Sequence, residues 1–335
     1  MSKLPLPRTP AFSGLLPEVP NAYALVPAQV EFLSSLYGQG HGQKLIRFNT
    51  EIPGYYRWFT ADGCWFVKVL ENEAAVRQAE AEEIAVWLME QGVLTNHAQP
   101  KNGMMLGEYT AYAYPWQDGR YSRFSEADMG DLGKTLANLH RHLADYPQAA
   151  VVQQRADARE HGMAAIQQAL ACGDLKASPY PKALASLAVD VSLLPPGRPQ
   201  VIHADLNPGN VLWSAAGELC ILDFEDARHT YLSPLLDIAY VLERFVWVPH
   251  EDDATAQVCA QRFLNAYREN NVDPAFDADA LWHTFLTLNL RALCLLAALE
   301  AEEKPVAAVE WQKFFDLSAL HHHRRPLLQA LDFCP

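Results

Sequence analysis

The sequence predicts an α+β protein of two lobes, a small β-rich lobe followed by a larger and mostly helical lobe. Sequence patterns typical of strands dominate before residue 115, where GQKLIRFN and YYRWFT are followed by the turn ADG and by CWFVKVL. The D-G pair at 62–63 is typical of a tight hairpin. Helical periods dominate afterwards and are interrupted by one further hairpin, VLWSAAGELCIL. A chain of 335 residues is also longer than one core usually supports.

Three segments are expected along the chain. Residues 1–27 are rich in proline and have no clear period, which predicts an arm that wraps the surface or is partly disordered. The β-rich lobe is predicted at 28–114 and the helical lobe at 115–335. The helices of the second lobe are expected on both sides of the hairpin VLWSAAGELCIL.

Composition excludes several classes of protein. A net charge of −14 argues against a nucleic-acid partner, because binding a polyphosphate needs a basic face. The chain has no run of about 18 apolar residues and its first residues lack an apolar signal region, so we expect a cytoplasmic protein without a membrane partner. The six cysteines contain no CxxC pair, which favours reduced thiols. The oligomeric state stays open.

The stretch VIHADLNPGNVLW at 201–213 gathers polar side chains just before an apolar run. If 211–213 and 218–222 are paired strands, antiparallel pairing brings Asn210 and Asp223 together at the open end of the hairpin. Asp205 precedes Asn210 by five residues on a turn made by a proline and a glycine, and is expected to face the same cleft.

This set of side chains has a chemical use. One carboxylate and one amide oxygen can hold Mg²⁺, and the second carboxylate is left to accept a proton. The residues His203, Asp205, Asn210, Asp223 and Phe224 match the spacing H-x-D-x-x-x-x-N followed by D-F in the kinase catalytic loop. The alternative is a polar turn that only caps the local structure.

The chain resembles the aminoglycoside phosphotransferase and choline kinase family, whose members share a protein-kinase-like fold of two lobes. HADLNPGNVLW and ILDFED are similar to the family patterns HGDLxxxNVL and xIDFE. LGKTLANLH at 132–140 resembles the helix LGxxLAxLH, and AYPWQDG at 113–119 resembles the connector between lobes. The resemblance runs from about residue 40 to 245. It implies that 28–114 binds the nucleotide and that 115–335 carries catalysis and substrate binding.

The resemblance also implies roles for the motif. Asp205 would be the catalytic base, His203 a brace for its loop, and Asn210 and Asp223 the Mg²⁺ ligands. ATP would donate its γ-phosphate to a hydroxyl of a small molecule. Ala204 replaces the family's glycine, a change that the kinase template tolerates. The alternative function is a protein serine/threonine kinase of the same fold.

Lys68 lies inside the apolar strand WFVKVL, where an ammonium group is unfavourable unless anions meet it. Nucleotide phosphates are the expected anions, and the alternative is a lysine that reaches water from a strand edge. The resemblance implies a partner glutamate on the next helix. Glu80 lies one turn before Ile84 on the apolar face and is the first choice, Glu83 is the second, and Glu82 is predicted to point away.

The remaining site residues surround these groups. Leu212 and Leu222 on the hairpin would form the apolar floor under adenine, although ordinary core packing is the alternative. Glu225 and Asp226, next to a predicted metal ligand, are expected to contact the substrate, and a pocket with these acids would attract an amine-bearing alcohol. The alternative is ordinary solvated charge. Asp237 is predicted to be a helix N-cap or a brace to the catalytic loop.

Overall fold

The computed structural model describes residues 18–19, 44–48, 54–60, 63–99, 102–106, 108–172, 191–270 and 276–333. Most of the predicted arm at 1–27 lies outside these residues. The described residues fall into two compact units. The sheet unit comprises those within Ser13–Tyr121 and Gly209–Arg228, and the helical unit comprises those within Ser122–Pro208 and His229–Pro335. The hairpin that follows Pro208 therefore belongs with the N-terminal strands, although it lies far along the chain.

The sheet unit contains a six-stranded antiparallel sheet in the order β1-β2-β3-β4-β6-β5. Its strands are β1 (Glu18–Val19), β2 (Lys44–Phe48), β3 (Gly54–Thr60), β4 (Gly63–Glu71), β5 (Met104–Leu106) and β6 (Tyr109–Pro115). Thr60 pairs with Gly63, so β3 and β4 form the hairpin predicted around the D-G pair. Helix α1 (Asn72–Glu90) follows β4.

The sheet has an apolar layer on each face because side chains alternate along each strand. One cluster contains Trp58, Val67, Val69 and alanines of β6. A second cluster contains residues of α1 and β6 and includes Tyr112. Lys68 lies between Val67 and Val69 in β4, so it projects to the face opposite theirs. Only 6% of Lys68 is exposed.

A three-stranded sheet in the order β10-β9-β7 completes the sheet unit. Its strands are β7 (Gly119–Arg120), β9 (Val211–Ser214) and β10 (Leu219–Ile221). Gly119 pairs with Ser214, and a Cβ atom at Gly119 would lie 2.4 Å from the carbonyl oxygen of Trp213. The glycine of the connector AYPWQDG is therefore needed for close backbone approach.

The helical unit is built from six α-helices and a two-stranded sheet among the residues that the structure describes. The helices are α2 (Glu126–Ala144), α3 (Ala149–Cys172), α4 (Leu235–Val241), α5 (Asp253–Asn270), α6 (Ala278–Ala301) and α7 (Ala308–Gln329). The sheet pairs β8 (Gln200–Val201) with β11 (Tyr231–Leu232), and a π-helix at Leu242–Trp247 continues α4. A small β-rich part followed by a larger helical part is confirmed.

Close packing of α2 against α5 explains the glycine in LGKTLANLH. A Cβ atom at Gly133 would lie 2.4 Å from the carbonyl oxygen of Phe263, so the two helix backbones approach too closely for a side chain. Ser125 caps α2 by accepting a hydrogen bond from the backbone N–H of Asp128. Helix α2, which contains LGKTLANLH, is therefore capped at its start and packed closely against α5.

Helix α6 is the one described helix that is long and apolar enough to span a membrane, and 56% of its apolar window is buried in the protein. It carries buried polar residues at its centre. Arg291 forms a bidentate ion pair with Glu160 at 2.6 and 2.7 Å, and Asn289 forms a hydrogen bond with His321 at 2.8 Å. Burial together with internal polar pairing is typical of the core helix of a globular unit.

Candidate active site

His203 and Asp205 of the predicted catalytic loop lie in the helical unit, directly after β8. Pairing of β8 with β11 places Val201 opposite Tyr231 and brings the following loop close to the start of α4. Asp237 of α4 accepts hydrogen bonds from the backbone N–H of His203 at 2.9 Å and of Ala204 at 2.8 Å. Asp237 is fully buried, and the N-cap position of α4 is Pro234. The brace predicted as one role of Asp237 is therefore confirmed, and the N-cap alternative is wrong.

Ala204 has a φ angle of +68°, in the left-handed region that favours glycine. A non-glycine residue there is strained by about 1–2 kcal/mol. The two hydrogen bonds to Asp237 hold the loop in this conformation. The alanine that the sequence presents as a mild departure therefore stores backbone strain beside Asp205.

His140, the last residue of LGKTLANLH, supports the same carboxylate. Its Nε2 lies 3.0 Å from Oδ2 of Asp237 and its Nδ1 lies 2.9 Å from the hydroxyl oxygen of Tyr267. A carboxylate only accepts hydrogen bonds, so the ring donates from Nε2 to Asp237. Sequence reasoning missed His140, although its place in a quoted family motif was a usable signal.

The side chain of Asp205 is held at both oxygens. Tyr240 donates from its hydroxyl to Oδ1 at 2.9 Å, and Asn207 donates from its amide to Oδ2 at 3.1 Å. His203 is fully buried and accepts the backbone N–H of Asp205 at Nδ1, at 3.3 Å. Burial, and then the negative charge of Asp205, raise the pKa of Tyr240 well above its ordinary value, so this hydroxyl keeps its proton. The carboxylate of Asp205 is therefore a fixed and oriented acceptor.

The other predicted residues lie in the sheet unit, at the open end of the hairpin. Strands β9 and β10 pair as predicted, with Val211 opposite Ile221. The register continues one step further, because the carbonyl oxygen of Asn210 accepts the backbone N–H of Leu222 at 2.9 Å. Asp223 comes next and has a φ angle of +61°, which turns the chain away from the strand. Asn210 and Asp223 thus flank the end of one hairpin.

Lys68 meets two carboxylates of the motif that follows β10. Its Nζ lies 3.7 Å from Oδ1 of Asp223 and forms a direct ion pair with Glu225. Burial alone would lower the pKa of Lys68, but Asp223 and Glu225 outweigh burial and raise it. The lysine is therefore charged at neutral pH.

The structure does not bring Glu80 to Lys68. Glu80 pairs with Arg228 at 3.1 Å, and Glu83 is exposed. Glu82 is buried, contrary to the prediction that it points away. It accepts hydrogen bonds from Tyr114 and from the backbone N–H of Ala98, both at 2.6 Å. The position of Glu82 is thus enclosed by residues of β6 and of the segment after α1. The spacing of apolar residues in α1 alone predicts that this position is exposed.

The acidic residues that follow the hairpin are mostly paired within the protein. Glu225 pairs with Lys68, and Asp237 holds the catalytic loop. Glu243 is buried between Arg244 at 2.7 Å and His321 at 2.6 Å. Asp226 and Leu222 are half-buried and Leu212 is buried in β9. Charge attraction from this group of acids is therefore weaker than the sequence suggests.

The donor chemistry of the hairpin end suits Mg²⁺. Asn210 offers a neutral oxygen and Asp223 a charged one, and these hard ligands are the kind that Mg²⁺ takes together with water and phosphate oxygens. The side chain of Asp223 is 39% exposed. The described residues contain no group of three or more His, Cys, Asp or Glu side chains placed to form an all-protein metal cage. A site completed by ligand oxygens fits these residues.

Comparison with known protein families identifies the class of this protein. The family model described as "Phosphotransferase enzyme family" matches residues 45–275. The chain belongs to this family and is a phosphotransferase of protein-kinase-like fold. No curated protein matches the sequence significantly.

Solved structures show the same fold at low sequence identity. An aminoglycoside-3'-phosphotransferase of type VIII is 23% identical, with a TM-score of 0.54, covering 78% of this chain and 98% of the other. Aminoglycoside 2'-phosphotransferase-IIIa with GDP is 14% identical, with a TM-score of 0.57 and coverages of 89% and 98%. Choline kinase LicA from Streptococcus pneumoniae is 11% identical, with a TM-score of 0.55 and coverages of 88% and 98%.

Proposed function

We propose that this protein transfers the γ-phosphate of ATP to a hydroxyl group of a small molecule in the cytoplasm. The observation that carries the proposal is the orientation of Asp205, a carboxylate fixed at both oxygens on a loop that Asp237 pins. Family membership and the spacing from His203 to Asp223 support the same reaction.

Asp205 is the proposed catalytic base. The acceptor oxygen attacks the γ-phosphorus while its proton passes to Asp205, and the bond from the γ-phosphorus to the bridging oxygen breaks as ADP leaves with the negative charge. His203 braces the loop by accepting the backbone N–H of Asp205. The fixed carboxylate limits the rotation that would otherwise accompany proton transfer.

Lys68 and the hairpin end are the proposed nucleotide-binding groups. Lys68 is buried and charged, and a charged ammonium of this kind suits phosphate oxygens. Asn210 and Asp223 are the proposed Mg²⁺ ligands, and Mg²⁺ when bound offsets negative charge on the phosphates. Leu212 and Leu222 are proposed to contact adenine. Glu80 is not part of this proposal, because it pairs with Arg228 instead of Lys68.

The proposed acceptor is a small alcohol, and the amine-bearing class comes first. The solved structures named above include an aminoglycoside phosphotransferase and a choline kinase. The net charge of −14 also favours a cationic acceptor. Glu225 and Asp226 are both proposed to contact the acceptor, and Glu225 also pairs with Lys68.

The experiment is an ADP-release assay with purified protein, ATP, Mg²⁺ and a panel of acceptors. The panel contains aminoglycosides, spectinomycin, a macrolide, choline, neutral sugars and a protein substrate mixture. We expect turnover with one small alcohol and none with the protein mixture. Asp226→Asn is expected to raise KM for an amine-bearing acceptor by about 3- to 10-fold. Preferred phosphorylation of protein would contradict the proposal, and an unchanged KM would remove Asp226 from the acceptor site.

A further inference from the structure

One residue of α4 contacts the proposed base directly and is absent from every sequence motif discussed above. Tyr240 lies one helical turn after Asp237, so the two side chains share a face of the helix. Asp237 holds the backbone of the catalytic loop, and Tyr240 holds the side chain of Asp205 at 2.9 Å. A single helix face therefore fixes both the loop and its reactive group.

The π-helix after Tyr240 holds this residue in place. Its six residues, Leu242–Trp247, are all buried. The guanidinium carbon of Arg244 lies 5.2 Å from the ring centre of Tyr240, and Nε of Arg244 lies 2.7 Å from Oε1 of Glu243.

The π-helix is in turn tied to α6 and α7. Nε2 of His321 lies 2.6 Å from Oε2 of Glu243, and Asn289 bonds to Nδ1 of His321 at 2.8 Å. The Asn289 amide donates to Nδ1, and Nε2 of His321 faces the carboxylate of Glu243. The contacts therefore run from α7 to Asp205 through His321, Glu243, Arg244 and Tyr240.

We propose that Tyr240 is a positioning residue for phosphoryl transfer. Rotation of an aspartate carboxylate about its last bond is only weakly restricted by the side chain itself. The donors Tyr240 and Asn207, one on each oxygen, remove that freedom and hold Asp205 ready to accept the hydroxyl proton. This inference rests on the proposed function, in which Asp205 is the base.

The test is Tyr240→Phe, which keeps the ring and removes only the hydroxyl. We expect kcat to fall about 10- to 100-fold, the effect of one hydrogen bond to a charged group, with KM for ATP unchanged. Turnover is measured as ADP release with the acceptor found in the panel, or with water as acceptor if no panel compound reacts. An ADP titration by calorimetry reports the fraction of folded, binding-competent protein.

The control is Thr287→Val, which removes another buried hydroxyl of the helical unit. Thr287 donates to the carbonyl oxygen of Ser192 at 2.8 Å and is 1% exposed. This variant is expected to keep kcat within about twofold of the unmodified protein. A loss confined to Tyr240→Phe therefore does not come from the removal of a buried hydroxyl in general.

A double variant separates positioning from stability. In an Asp205→Asn background, Tyr240→Phe should cause no further loss of turnover, because the base that it positions is gone. An equal loss in both backgrounds would overturn the positioning role, as would a Tyr240→Phe enzyme within twofold of normal kcat. If Asp205→Asn itself keeps normal turnover, the proposed function fails and this inference fails with it. If Asp205→Asn loses turnover while Tyr240→Phe keeps normal turnover, the positioning role of Tyr240 is overturned and the proposed function is not.

Discussion

Replacing Asp237 by asparagine is expected to destabilise the helical unit strongly. The carboxylate accepts three hydrogen bonds, from His203 N–H, Ala204 N–H and His140. An amide has one oxygen, so its NH₂ group would face a donor that needs an acceptor. One buried unsatisfied donor contributes about 1–3 kcal/mol, and the lost charge weakens the other two bonds by about 1 kcal/mol each. We therefore expect the free energy of unfolding to fall by about 3–5 kcal/mol. This is a large part of the roughly 5–15 kcal/mol by which folded proteins are usually stable.

Urea denaturation followed by circular dichroism measures this loss, and amide hydrogen exchange at His203 and Ala204 localises it. Both amides should lose protection in Asp237→Asn, because their acceptors are altered. Asp131→Asn is the matched control, since Asp131 is exposed in α2 and should change stability by less than about 0.5 kcal/mol. An Asp237→Asn protein within 1 kcal/mol of the unmodified one, with protection unchanged, refutes the bracing role.

Three further changes test other parts of the structure. Ala204→Gly should stabilise the protein by up to about 1 kcal/mol in the same assay, because relief of left-handed strain exceeds the entropy of glycine, and a clear loss would contradict the strain. Burial raises the pKa of Glu82 above 4.5, so its contribution to stability falls as the pH rises from 4.5 through the raised pKa. Glu82→Gln should flatten that dependence in denaturation curves recorded across this pH range, and an unchanged slope would contradict the assignment. Asp223→Ala should abolish Mg²⁺-dependent ADP release while Asp131→Ala does not, and activity in the presence of a chelator would contradict the metal role.

The hairpin and its polar residues were predictable because short-range rules govern them. The pairing of 211–213 with 218–222 follows from turn chemistry and strand length, and it fixes where Asn210 and Asp223 lie. The brace at Asp237 was one of two alternatives that local sequence allows. Choosing between them needed the contact with His203 and Ala204, whose sequence separation is more than thirty residues.

The partners of buried charges were not predictable from helical periods. Glu82 bonds to Tyr114 and to the N–H of Ala98, which both lie outside its helix. A helical wheel of α1 alone therefore places Glu82 wrongly on the exposed side. Lys68 pairs with Glu225, far along the chain, and leaves Glu80 to Arg228. Contacts of this kind depend on how the hairpin packs beside the N-terminal sheet, which no local pattern encodes.

The most direct test of the central claim is turnover by Asp205→Asn. This substitution keeps the size of the side chain and removes its ability to accept a proton. If Asp205 is the base, ADP release with the panel acceptor should fall about 10²–10⁴-fold while ADP binding, measured by calorimetry, stays within threefold. Turnover near that of the unmodified enzyme would contradict the assignment of Asp205 and, with it, the mechanism proposed for this protein.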